Sequence, residues 1–275
     1  MARTDNLTNF LTDVSTAIKT KKGDNTPIKA SEFDTEIANL PSGGGDISEY
    51  NAVFDTSLTG KISANITKIK TWNTKGRTNF KEMFSGLSIL TEVPMLDTSS
   101  GTDFSYMYQT CKKVTSFPVI NTSSGTNFTY MYQACTGMTS FPEIDTSNGT
   151  NLSYMCSGCS NLKDVPLLDC GKVTSIRNIF ANASNITNVE GFKDLGKAYS
   201  TSTSANTSNY EISFTASVKV TEQSLINVLN NLYDIATKGC NTQKCTIGST
   251  NLAKLTSEEG QQALANAQAK GWTVS

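Results

Sequence analysis

Apolar positions through the middle of the chain recur every 24 residues, without a gap, from Thr78 to about Lys197. Phe80, Phe104, Phe128, Leu152 and Ile176 form one column, and Met83, Met107, Met131, Met155 and Ile179 the next. Phe84, Tyr108, Tyr132, Cys156 and Phe180 follow, then Leu87, Cys111, Cys135, Cys159 and Ala183. Offsets of i, i+3, i+4 and i+7 make one face of a short helix. The threonine opening each unit (Thr78, Thr102, Thr126, Thr150, Thr174) is placed to cap that helix through its hydroxyl. The runs VTSFPVI, MTSFPEI and NLKDVPLL then predict brief strands, with prolines at positions 94, 118, 142 and 166. DTSSG, NTSSG and DTSNG predict the closing turn, Asp or Asn starting an Asx turn and Gly taking the strained backbone angle.

The repetition is close. Thr102–Gly125 and Thr126–Gly149 agree at fifteen of 24 positions. Units of this length bury their apolar face only by stacking on their neighbours, so the pattern predicts a solenoid. Its strands would stack in parallel about 4.8 Å apart. Spacing, cysteine column and Asp-Thr-Ser turn together resemble the BspA-like leucine-rich repeats, over residues 78–197. The expected fold class is therefore an α/β solenoid of 24-residue BspA-like leucine-rich-repeat coils, with an N-terminal helical hairpin and a C-terminal α/β cap. The expected divisions are an N-terminal helical segment (1–41), a Gly-rich linker and lead-in (42–53), the repeats (54–197) and the cap (198–275).

At the N-terminal end Leu7, Phe10, Leu11, Val14, Ala17 and Ile18 fall on one helical stripe. A second short helix carries Phe33, Ile37 and Leu40 before Pro41-Ser-Gly-Gly-Gly45. About 40 residues is too little for a large core. The stripe Leu7, Phe10, Leu11, Val14 and Ile18 therefore needs a cover: copies of itself, another protein, or the repeats. Residues 7–40 resemble the N-terminal segment of phage tail, fibre and baseplate-associated proteins, with LTDVSTAIKTKKG and F-x-x-E-I intact. The resemblance implies a virion attachment or oligomerisation element, with other virion proteins and copies of itself as partners.

In the C-terminal part Thr221 is placed to cap a helix to about Ala236, with Leu225, Val228, Leu229 and Leu232 inward. Lys244–Ile247 reads as a strand, and Thr256 with Glu259 as a capping box for a helix to Gly271. Tyr199–Asn209 is polar and low in complexity, a loop. Ile212, Phe214, Ala216 and Val218 alternate like a strand. GSTNLAKLTSEEG…KGWTVS resembles the ending of phage and Firmicutes proteins with BspA-type repeats.

Composition narrows the function. The chain has 275 residues, no histidine and a net charge of −1. Residues 78–173 hold five lysines, no arginine and eight acidic residues, so the basic face that nucleic-acid binding requires is missing. No apolar stretch approaches the roughly 20 residues of a membrane span. The opening MARTDNLTNF lacks the order of a signal peptide, and the chain end shows no anchor motif. A virion protein assembled in the host cytoplasm needs neither.

Without histidine the usual general base and commonest metal ligand are gone, and no phosphate loop or nucleophile motif appears. Neither an enzyme nor a cofactor or metal site is expected. Of the seven cysteines, Cys111, Cys135, Cys159 and Cys156 read as small buried hydrophobes in the repeat columns, while Cys240 and Cys245 flank a turn and could pair if oxidised. The stacked Asp97, Asn121, Asp145 and Asp169 read as turn formers rather than a calcium ladder.

Tyr106, Tyr130 and Tyr154 share a position off the apolar face, which sets three phenols in a row. They either shield the coil by packing on each other or offer a contact surface for a host-surface glycan or protein. The expected function is that of a phage virion protein of tail, baseplate or fibre; the alternative is a bacterial cell-surface adhesin, a familiar role for BspA-type repeats.

Overall fold

The computed structural model describes residues 49–52, 67–72 and 74–275. The expected helical hairpin of residues 1–41, with its stripe Leu7, Phe10, Leu11, Val14 and Ile18, lies outside the described residues.

In the repeats, consecutive units lie side by side in parallel, each residue facing its equivalent one period on. Bridges link Asn79 to Asp103, Asp103 to Asn127, Asn127 to Asn151, and Asn151 to Ser175. The four apolar columns point inward as their spacing predicts: Phe104, Met107, Tyr108 and Cys111 are fully buried, as are Phe128, Met131, Tyr132 and Cys135. Rings stack column by column, Phe80 on Phe104 at 5.3 Å between centroids and Phe104 on Phe128 at 5.6 Å.

The backbone that presents these columns is not the expected helix. Among the described residues from 74 to 200 no segment is helical. Instead the amide donors alternate between two destinations. Phe104, Tyr106, Tyr108 and Thr110 donate across to the carbonyls of Asn127, Thr129, Met131 and Gln133 in the next unit, at 2.8 to 2.9 Å. Met107, Gln109 and Cys111 donate within the unit to Phe104, Tyr106 and Tyr108, and Ser105 N–H is taken by Asp103 Oδ1 at 2.9 Å. Every buried N–H of the segment thus has a partner. An α-helix would spend all of these donors on carbonyls four residues back and leave nothing for the neighbouring coil. Two left-handed residues per unit break the helical run: Tyr106 and Thr110 (φ 59° and 65°), then Tyr130 and Ala134 (φ 59° and 57°).

The opening threonines therefore do not cap. Thr102, Thr126, Thr150 and Thr174 each donate their hydroxyl to the carbonyl of the threonine one unit earlier, at 3.0 to 3.2 Å. A second hydroxyl ladder is buried: Thr98, Thr122 and Thr146 donate to the carbonyls of Asn121, Asp145 and Asp169 at 2.8 to 2.9 Å.

Strands are fewer than predicted. β1 (Glu49–Ala52), in the stretch read as linker and lead-in, pairs in parallel with β2 (Lys68–Trp72). β3 (Asp164–Val165) and β4 (Leu168–Asp169) pair in parallel with β5 (Asn188–Val189) and β6 (Phe192–Lys193). In the preceding units only single bridges form. Proline explains the difference, because it has no N–H to give the ladder. Pro94, Pro118, Pro142 and Pro166 give way in the next unit to Glu190, whose N–H reaches Val165 O at 3.0 Å.

The turns hold one correction. The Asx bonds form as expected: Asp97, Asn121, Asp145 and Asp169 accept through Oδ1 from the N–H two residues on, at 2.9 to 3.1 Å. The glycines are required for room rather than for a left-handed angle. A Cβ on Gly101 or Gly125 would sit 2.4 Å from Cζ of Phe104 or Phe128, and neither has positive φ.

The C-terminal part continues the parallel arrangement with longer units. β7 (Ile212–Ser213), β8 (Gln243–Thr246) and β9 (Trp272–Val274) form a parallel sheet in that order. Phe214 stacks on Phe180 at 5.6 Å, carrying the ring column onward. Alternation beyond Phe214 fails: Ser217, not Ala216, is buried, and its hydroxyl donates to Ala183 O at 2.7 Å. Helix α1 (Glu222–Asn230) is capped by Thr221 as predicted but ends short of Ala236, with Leu225, Val228, Leu229 and Leu232 buried. A short α2 (Ser249–Leu252) precedes α3 (Glu258–Ala269), whose cap is Ser257 rather than Thr256. Glu222 occupies the carboxylate role from outside that helix. It accepts from Thr256 N–H, Ser257 N–H and the Ser257 hydroxyl, which hold its carboxyl below the usual range. Trp272 is buried, its indole N–H on Tyr233 O at 2.9 Å.

Two outcomes test this architecture. Gly125→Ala should cost about 1–3 kcal/mol through overpacking against Phe128, read as a lower denaturation midpoint with unchanged m. Tyr132→Phe should stabilise. The Tyr108 and Tyr132 hydroxyls are fully buried and have no hydrogen-bond partner among the described residues, while Phe84 and Phe180 fill the same column. Removing one orphaned hydroxyl should raise stability by about 1 kcal/mol, measured by the same denaturation.

Candidate binding face

The ribbon of alternating amides places three tyrosines together. Tyr106, Tyr130 and Tyr154 stack in register, 4.7 Å and 4.6 Å between ring centroids, with planes inclined by 13° and 4°. All three are half-buried and left-handed, Tyr154 at φ 58°. Glu82 and Asn178 occupy the same column at its two ends with φ of 59° and 55°. A left-handed backbone is costly for most residues and cheapest for Gly and Asn. The left-handed turn is therefore imposed by the donor alternation, and the tyrosines sit on it.

Stacking decides what the row can present. At these separations the ring faces are occupied by one another, so the outward chemistry is the ring edge and the hydroxyl, not an aromatic platform. Of the two alternatives raised by the sequence, the packing of the phenols on one another is what the rings show. Partial burial, and then the flanking Tyr154 and Tyr106, raise the Tyr130 hydroxyl above the ordinary phenol value, with Arg177 opposing. A phenol hydroxyl can donate as well as accept.

Beside the tyrosines runs a ladder that the sequence reading missed. Ser85 Oγ donates to Gln109 Oε1 at 3.0 Å, and Gln109 Nε2 to Gln133 Oε1 at 2.6 Å. The signal was available, since identical residues one period apart must lie in contact once the units stack. From Thr102 to Cys111, Thr126 to Cys135 and Thr150 to Cys159 the only charged residue is Asp103. The face is thus nearly uncharged, amide-rich and phenolic.

The cysteines are part of the core beneath it. Cys111, Cys135 and Cys159 donate S–H to the backbone oxygens of Phe84, Tyr108 and Tyr132 at 3.0 to 3.2 Å. Burial pushes the Cys111 thiol up to about 12, and those of Cys135 and Cys156 well above the ordinary thiol value. A thiol so protonated is a poor nucleophile and a poor metal ligand. Cys240 and Cys245 are both free; Cys245 is buried and likewise raised to about 12. Among the described residues no cluster of three metal-ligating side chains forms.

A protein-family model described as Mycoplasma protein of unknown function, DUF285, matches residues 51–165 and 121–224, together more than half of the chain. The chain belongs to the DUF285 family. The second match begins about three units after the first, as a repeat allows. DUF285 is a family of BspA-like repeats, in agreement with the columns and turns described above. No curated protein and no solved structure matches the chain.

The conformational reading of the tyrosine row has a direct test. Tyr130→Asn and Tyr130→Val both remove the two stacking contacts, but only Asn tolerates the left-handed backbone. Val should therefore be less stable than Asn by about 1–2 kcal/mol in chemical denaturation.

Proposed function

We propose that this protein is a non-catalytic virion component, of phage tail, baseplate or fibre. In this reading its 24-residue coils wind into a solenoid that is docked by the N-terminal helices and presents its ribbon face to a host-surface glycan or protein. The observation that carries the binding role is the tyrosine row with its neutral amide flank, phenolic tips held at fixed spacing by the backbone. Such a surface offers directional donors and acceptors without net charge, which suits neutral polar partners. Against a catalytic role stand the buried thiols of Cys111, Cys135 and Cys156, raised by burial, and the turn carboxylates at positions 97, 145 and 169, engaged in Asx bonds. The docking role rests on the apolar stripe Leu7, Phe10, Leu11, Val14 and Ile18 and on the likeness of residues 7–40 to tail-associated proteins.

A second reading, a bacterial cell-surface adhesin, is favoured by one finding: the family is described from a bacterium. It gives the ribbon face the same work and the N-terminal stripe none in assembly.

Light scattering separates the two. The full-length chain should be an oligomer, and the full-length Leu11→Asp/Val14→Asp variant should fall to the monomer mass with unchanged far-UV circular dichroism. A monomer in both cases would refute self-assembly through the stripe and leave the adhesin reading in place.

A further inference from the structure

Five large hydrophobic side chains are exposed among the described residues, and three of them share one repeat column: Met95 (72% exposed), Val119 (62%) and Leu167 (45%). Scattered exposed hydrophobics are ordinary, but a row of them one and two periods apart is not scatter. The row lies just after the prolines at 94, 118 and 166, on the strand side of the coils rather than on the tyrosine ribbon. Glu143 fills the intervening place, exposed.

The same side is anionic. Residues 91–97, 115–121, 139–145 and 163–169 carry Glu92, Asp97, Glu143, Asp145, Asp164 and Asp169 against a single lysine, Lys163. Two of the six carboxylates are neutralised by lysines of adjoining coils, Glu92 by Lys68 at 2.6 Å and Asp169 by Lys193 at 2.9 Å. Among the described residues Asp97, Glu143, Asp145 and Asp164 make no ion pair, and all four lie within three residues of the apolar column in sequence. A second copy laid on this face would set carboxylate against carboxylate, and anionic polymers are repelled for the same reason. The chemistry that fits is the complement, apolar side chains alternating with cations.

We propose that the strand face is a second docking site, distinct from the tyrosine ribbon, for a short basic-apolar segment of a partner protein lying across the coils. Three coil steps of about 4.8 Å separate Met95 from Leu167, the span of about four extended residues. Apolar side chains of the segment cover Met95, Val119 and Leu167, while its lysines or arginines reach Glu143, Asp145 and Asp164. A contact of this size is weak and salt-sensitive.

The test uses full-length protein and a synthetic peptide of alternating lysine and leucine, with a glutamate–leucine peptide of equal length as the comparison, followed by fluorescence anisotropy. The lysine peptide should bind and the glutamate peptide should not. Glu143→Gln/Asp145→Asn/Asp164→Asn should weaken binding about tenfold. Those amides preserve the acceptors, as Asn121 already does in the Asp145 column. Met95→Ser/Leu167→Ser should weaken binding by a similar factor and leave the remaining affinity more dependent on salt. The same charge loss placed in the C-terminal part, Asp234→Asn/Glu258→Gln/Glu259→Gln, should leave binding unchanged. Equal loss from both triple variants would reduce the effect to net charge and overturn the proposal. Failure of the lysine peptide to bind, or self-association through this face on removing its charges, would overturn it as well.

Discussion

The division of backbone amides between two destinations is the constraint from which the rest follows. In four successive units, over the ribbon segments that begin at Phe80, Phe104, Phe128 and Leu152, every second N–H bonds to the next unit and the others turn back within their own. That alternation holds successive units at one-residue register over the whole repeat, and register fixes everything that stacks: rings on rings, hydroxyls on carbonyls, thiols on carbonyls, amide on amide. Its cost is a left-handed residue twice per unit, at ten positions of which five carry Tyr, Thr or Ala and only four Gly or Asn. Each such residue is unfavourable by itself and is retained because the neighbouring coils over-determine it.

The buried side of this arrangement was legible in the sequence; the backbone was not. Columns at i, i+3, i+4 and i+7 identified Phe104, Met107, Tyr108 and Cys111 as inward, and all are fully buried. The same offsets suit a helix, and nothing local to one unit distinguishes a helix from a ribbon whose donors reach outside it. The distinction is a tertiary one. Threonine was misread for the same reason: its hydroxyl finds a carbonyl one period away, not an amide three residues on. In the turn, Asp or Asn behaved by local rules, whereas Gly101 and Gly125 answer to the phenylalanine rings of a stacked column. Of the surface, the tyrosine row could be placed from its spacing, but the mutual occupation of its ring faces required the coil separation.

Stacking also gives the repeats two chemically different faces. A residue type chosen once per unit becomes a stripe, so small biases are amplified into surfaces. One side collects phenols and amides and is nearly uncharged; the other collects carboxylates around Met95, Val119 and Leu167. The prolines that border the second side also withhold N–H groups there, and regular strand pairing resumes where Glu190 replaces them.

The thiol column bears on where such a protein can operate. Cys111, Cys135 and Cys159 contribute volume and a weak bond to a carbonyl, and none of the described cysteines is in a disulfide. A core stapled by disulfides stands or falls with the redox poise around it. This one is built from apolar contact and backbone bonds, with its column thiols sealed from water. The packing of this column therefore draws on no covalent cross-link, and its thiols are shielded from solvent by the coils above and below them.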